Sequence, residues 1–266
     1  MSIFDGKNRF LTQTQTQPVS HATEGALNAS MEAFSGEAAM GASTNRRVAC
    51  ILVLDTSGSM SGHAISDLNN AFSGIQQALQ SIDTQTRACL EFCVIEYNTQ
   101  PRMLTNGFQT IDQLRVPEMQ ANGLTNMHAA IKMAYEEGKR KTNAFNTLGY
   151  PCFMPWIFLM TDGMPTDGGT PTGGGGTDGS EIIAFVQEKI QNKRISFYGV
   201  GTGDYDREFM KRLCQGAVLF EADTKDFASL FNWIARSAAV LSASKPGQQV
   251  NVAPPENVQT IALNMY

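Results

Sequence analysis

The sequence predicts an open α/β fold, a mainly parallel central sheet with helices on both faces. Three observations carry this. Val48–Leu54 and Phe153–Met160 are unbroken apolar runs of strand length, as expected of strands covered on both sides. Between such runs lie segments whose apolar residues step by three and four, the mark of amphipathic helices. Strand and helix signals then alternate from Arg47 to Leu241, the order that builds parallel sheets.

The elements follow in turn. Val48–Leu54 is the first strand, and Asp55–Gly62 is a turn of small residues. Ile65, Leu68, Phe72, Ile75, Leu79 and Ile82 then fall on one face of a helix. Arg87–Tyr97 reads as the second strand, turned by Asn98–Pro101, with a short antiparallel edge strand over Pro101–Phe108. Val116–Leu124 is loop-like. A helix over Asn126–Lys139 follows, with Lys139, Arg140 and Lys141 as its solvated cationic end. Phe153–Met160 is a strand ending in Thr161-Asp162-Gly163. Next come a helix over Ser180–Asn192, a strand over Ile195–Val200, a short helix over Arg207–Cys214, a short strand over Ala217–Glu221 and a last helix over Lys225–Leu241. Val258–Leu263 is an edge strand or a trailing segment. Gly173–Gly176 and the run Gly199–Gly203 read as turns, since neither completes a phosphate-loop or dinucleotide pattern.

Three regions result. Residues 1–46 are a polar N-terminal extension, partly disordered or docking, in which Gly25–Phe34 has helical character. Residues 47–243 are the domain, interrupted by a glycine-rich loop at 167–179. Residues 244–266 are a tail containing Pro246, Pro254 and Pro255.

Composition narrows the function. Of 266 residues, 20 are Lys or Arg and 25 are Asp or Glu, a net charge of -5 that gives no general attraction to nucleic acid or an anionic membrane. The most apolar stretch, Tyr150–Met160, is too short to span a bilayer and contains two prolines. The N-terminus lacks the apolar core of a signal peptide. The 5 cysteines form no Cys-x-x-Cys pair, and their odd number leaves one unpaired. They read as reduced core thiols, and the protein as cytoplasmic.

In such a fold ligands gather beyond the C-terminal ends of the strands. Three segments there carry oxygen donors: Asp55-x-Ser57-x-Ser59, Gly123-Leu124-Thr125 and Thr161-Asp162-Gly163. Two carboxylates and three hydroxyls, Asp55, Ser57, Ser59, Thr125 and Asp162, form a hard donor set. It suits Mg²⁺ or Mn²⁺, with Ca²⁺ possible, and does not suit zinc or copper. Such an ion keeps waters that another molecule's carboxylate can replace.

These residues resemble the metal-ion-dependent adhesion site of the von Willebrand factor A domain family, whose pattern is Asp-x-Ser-x-Ser, then Thr, then Asp. The strings Leu54–Met60 and Leu159–Thr166 look like bacterial cytoplasmic members, in particular those associated with tellurium (toxic-anion) resistance. The resemblance covers about residues 46–240. It implies a Rossmann-like fold with one antiparallel edge strand. It implies metal contact by Ser57 and Ser59, direct or water-mediated contact by Thr125, Asp55 and Asp162, and a protein partner supplying an Asp or Glu. It also suggests a regulatory subunit of an AAA-type ATPase or of a kinase–phosphatase stress module. Oligomeric state is left open.

Competing chemistries fit less well. An Asp-nucleophile phosphohydrolase needs a second Asp where this chain has Ser57, and no lysine completes the set. A serine hydrolase lacks Gly-x-Ser-x-Gly. His21 reads as solvated, and His63 and His128 as surface or supporting residues near the site. Phe108, Met119, Met164 and Tyr205 are expected to form an apolar rim on the loop-rich face. Phe4, Phe10 or Leu11 of the extension is a candidate to mask the site.

Overall fold

The computed structural model describes residues 45–78, 82–166, 179–244, 255 and 258–261. The N-terminal extension with its helical stretch and masking role, nearly all of the glycine-rich loop and most of the tail lie outside the described residues.

The apolar runs become strands of one sheet. In chain order they are β1 (Val48–Asp55), β2 (Leu90–Tyr97), β3 (Pro101–Met103), β4 (Gln109–Thr110), β5 (Trp156–Thr161), β6 (Ser196–Gly201), β7 (Val218–Glu221) and β8 (Gln259–Ile261). The sheet order is β3-β2-β1-β5-β6-β7-β8, with β4 also on β2. β2, β1, β5, β6 and β7 are mutually parallel. β3 and β4 cap one edge and β8 the other, all antiparallel. The expected single edge strand over Pro101–Phe108 is thus two short pieces on one edge, and a third antiparallel strand closes the opposite edge.

The long helices are α1 (His63–Ala78), α3 (Met127–Thr147), α4 (Ser180–Gln191) and α6 (Phe227–Ala243), with short α2 (Thr84–Arg87) and α5 (Arg207–Leu213). β1 shows how they divide. Val48, Cys50, Leu52 and Leu54 join one buried cluster with Leu68 of α1 and Phe231 of α6. Ile51 and Val53 join another with Ile131 of α3, Val186 of α4 and Met210 of α5. Alternate side chains of a strand point to opposite faces, so the apolar run Val48–Leu54 of β1 satisfies both layers.

α3 runs eight residues beyond the expected end at Lys139. The cations at its supposed terminus lie mid-helix. Lys139 pairs with Glu136 at 3.7 Å, Arg140 with Glu137, and Lys141 reaches Glu91 of β2 at 2.5 Å. Gly138 lets this helix pass close to the strands: a Cβ there would lie 2.8 Å from Pro155 Cβ and 3.2 Å from Ile51 Cδ1. Gly138→Ala should therefore destabilise by about 1–2 kcal/mol despite alanine's better helix propensity. The urea midpoint measures this, and a rise in midpoint would reject the close packing.

Candidate metal centre

The chain passes from β1 to β2 on one side and later returns to β5 on the other. The switch in strand order thus falls between β1 and β5, where ligand crevices form. Asp55 is the last residue of β1, and Asp162 follows the last residue of β5.

Asp55 is fully buried. One of its oxygens accepts from the Ser57 backbone N–H at 2.9 Å, which closes the turn. The other accepts from Thr161 Oγ1 at 2.9 Å. Gly58–Met60 then forms one 3-10 turn, anchored by buried Met60. This places Ser57 Oγ and Ser59 Oγ 3.0 Å apart. Ser59 Oγ donates to Asp162 Oδ1 at 2.7 Å. Four of the five expected residues thus form one hydrogen-bonded run, with Asp55 joined to it through the Ser57 N–H.

The fifth, Thr125, is 6% exposed, and backbone bonds hold its loop against the others. Gly58 N donates to Gly123 O at 3.1 Å and Asn122 N to Thr56 O at 2.9 Å. Thr125 N donates to Thr166 Oγ1 and Thr166 N to Thr125 O, both at 2.9 Å. Gly123 has φ +74° and lies against Thr99, whose Oγ1 a Cβ there would approach to 2.4 Å. Only glycine combines that backbone with that contact.

Burial chiefly raises the Asp55 carboxyl above its ordinary value, against the bonds from Ser57 and Thr161, and Asp162's charge raises it further. Burial also raises Asp162, opposed by Ser59. Among the described residues neither carboxylate has a cationic partner close enough to offset this. Two carboxylates and adjacent hydroxyls, short of positive charge, fit a hard divalent cation. Among the described residues no group of three or more His, Cys, Asp or Glu side chains comes together, at this centre or elsewhere, so the candidate set rests on two carboxylates and neighbouring hydroxyls.

Three contributors were not singled out from sequence. Thr161 holds Asp55, Thr166 holds Thr125, and Asn69 of α1 holds the approach to the Thr125 loop. Asn69 Nδ2 donates to Met119 O and Met119 N donates to Asn69 Oδ1, both at 2.9 Å. The expected apolar rim is corrected. Met119 is 3% exposed and belongs to the core, Tyr205 packs on Gly201 with its hydroxyl on Glu221, and Phe108 packs against the α3 layer. Met164 is 62% exposed, and Leu124, beside Thr125, is 59% exposed. These two flank the site.

A family model described as von Willebrand factor type A domain matches residues 50–233. No curated protein sequence matches the chain. Among solved structures, the pilus adhesin SpaC from Lactobacillus rhamnosus GG aligns with a TM-score of 0.55 and 11% identity, covering 77% of this chain and 32% of that one. The PilB minor pilin from Streptococcus sanguinis aligns at 0.50 with 13% identity, covering 75% and 63%. A von Willebrand factor type A protein from Catenulispora acidiphila aligns at 0.50 with 18% identity, covering 74% and 43%. The chain spans less than two thirds of each of these proteins.

The expectation of a cytoplasmic protein does not hold. Two of these structures, a pilus adhesin and a minor pilin, belong to surface assemblies. The thiols were no guide to compartment. Cys50, Cys93 and Cys214 are buried in the core, and burial pushes all three thiols up, Cys93 to about 11. They act as small apolar groups wherever the protein resides.

Proposed function

We propose that this chain, which belongs to the von Willebrand factor type A domain family, captures a carboxylate of a protein partner through a divalent cation held at the β1–β5 edge. The observation that carries this is the hydrogen-bonded run Ser57 Oγ, Ser59 Oγ, Asp162 Oδ1, at 3.0 and 2.7 Å, beside buried Asp55. The module is an interaction domain and not an enzyme.

Ser57, Ser59, Thr125, Asp55 and Asp162 would hold Mg²⁺ or Mn²⁺. When bound, the ion supplies an electron-accepting position that takes an Asp or Glu oxygen in place of water. The rest belongs to the chain. Two carboxylates balance a divalent charge, so little negative charge remains to repel an incoming acid. Thr161 and the Ser57 N–H fix Asp55, while Thr166 fixes the Thr125 backbone, so the donors are arranged before a partner arrives. Exposed Met164 and Leu124 offer apolar contact beside the charged centre, the mixture that interface cores use. By resemblance alone, Leu54–Met60 and Leu159–Thr166 support a partner within a toxic-anion stress module. Among the described residues no helix is long and apolar enough to cross a membrane.

The test is capture of partners from a lysate of the source organism in Mg²⁺, in EDTA, and with Asp162→Ala in Mg²⁺. Asp162 is only partly buried, so this variant should stay folded. A partner retained by the wild type in Mg²⁺ alone is expected. One retained equally in all three conditions would move recognition away from the cation.

A further inference from the structure

A second feature lies at the opposite pole of the sheet. There the second half of α3, the approach to β5 and the C-terminal end of α4 line a half-open cavity of about 600 Å³. The six residues of β5 separate it from Asp162, on the order of 20 Å at ~3.3 Å per residue.

Lys139, Lys189, Lys193 and Arg194 line this cavity, and Glu188 is the one carboxylate in its described lining. Glu188 is already engaged, pairing with Lys189 at 2.5 Å and accepting from Asn192 Nδ2 at 2.8 Å. Lys139 has Glu136 at 3.7 Å, an exposed pair of little strength. Among the described residues no ion pair within 4 Å engages Lys193 or Arg194, and Arg194 adds only a weak longer-range attraction to Glu188. Positive charge is therefore in excess on one concave surface.

A helix C-terminus attracts cations and accounts for some of them. Lys193, the one non-glycine residue at positive φ (51°) among those described, occupies the left-handed position that commonly closes a helix. Lys193 lies just past α4, its N–H on Ile190 O at 2.9 Å and the Arg194 N–H on Lys189 O at 2.8 Å. Glycine or asparagine is the usual occupant of such a position, and a lysine is held there at a cost.

We infer that this cavity binds a small organic phosphate of about mononucleotide size. Its volume lies in the range of small-molecule sites. A lining this cationic disfavours an apolar ligand. Phosphate oxygens accept from several cations at once, which suits spread ammonium and guanidinium groups better than a single carboxylate does. Asn143 and Tyr135 add neutral polar groups for the body of the ligand. The site needs no metal and stands independently of the centre between β1 and β5.

The experiment titrates the full chain, in EDTA, with ADP, inorganic phosphate and hexaglutamate, read by isothermal calorimetry. The variants are Lys193→Gly and Arg194→Ala. Lys193→Gly relieves the backbone while removing the charge, so its thermal midpoint should equal or exceed the wild type's. That separates loss of binding from loss of fold. ADP is expected to bind the wild type, inorganic phosphate to bind more weakly, and each variant to lose about tenfold in ADP affinity. Three results would overturn the inference: no ADP binding at millimolar concentration, unchanged ADP affinity in both variants, or hexaglutamate binding as tightly as ADP, which would make the site one for acidic peptides.

Discussion

Asp55→Asn is expected to abolish stabilisation by Mg²⁺ or Mn²⁺ while leaving the protein as stable as the wild type, or more so, in EDTA. The two halves have different causes. An asparagine keeps the shape and the local bonds. Its Oδ1 can accept from the Ser57 N–H, and its amide can donate to Thr161 Oγ1, whose proton then turns to Gly163 O at 3.2 Å. No buried donor is stranded, which alanine would not ensure. What disappears is a fully buried negative charge beside Asp162. Burial raises the Asp55 carboxyl, so ionising it in the folded chain at neutral pH costs stability, and a neutral amide avoids that cost. With an ion bound, the balance reverses. A ligand at one hundred times its dissociation constant stabilises by about 2.7 kcal/mol. In a domain of this size that is a rise of roughly 5–10 °C in thermal midpoint. The wild type should show it on adding Mg²⁺ and the variant should not, so the two melting curves exchange order between EDTA and Mg²⁺. Equal Mg²⁺ shifts in both proteins would remove Asp55 from the cation site.

Much of this centre is legible in the sequence because its donors sit at fixed offsets from apolar runs. Once Val48–Leu54 is a buried parallel strand, Asp55 must emerge at its C-terminal end. The small residues after it can only turn, and Asp162 follows the same logic after β5. The supporting bonds are not legible. Thr161 to Asp55, Thr166 to Thr125 and Asn69 to Met119 join residues 106, 41 and 50 positions apart, and nothing local marks them. Asn69 also explains the misplaced rim. By binding the Met119 backbone it draws that side chain into the core, where an isolated methionine in a loop looks exposed. The length of α3 escaped for a related reason. Lys139–Lys141 resembles a cationic helix end, but Glu136 and Glu137 on the helix and Glu91 on β2 neutralise it, and the helix continues.

Gly199→Val should cost a large share of the fold's stability, although Gly199 opens a run that reads as a turn. Gly199 lies inside β6, paired with Leu159 on one side and Leu219 on the other. A Cβ built there would come within 2.4 Å of Cys214 Sγ, 2.9 Å of Met210 Cε and 3.1 Å of Leu219 Cδ1, all fully buried. α5 and its C-terminal cysteine therefore rest directly on the strand backbone. Interiors have no spare volume for three added carbons, and overpacking at such a point costs roughly 3 kcal/mol. That is a large share of the roughly 5–15 kcal/mol a domain possesses. Gly201→Ala provides the contrast. Its Cβ would meet the Tyr205 ring at 2.3 Å, but that ring is only partly buried and can swing outward, giving up its bond to Glu221. Urea unfolding should rank Gly199→Val well below Gly201→Ala, and equal midpoints would show that α5 can move aside. Of the three glycines in this run, only Gly203, at φ +59°, uses glycine's backbone freedom. The other two are glycine because something already occupies the place of a side chain, a constraint that exists only after the helices have packed.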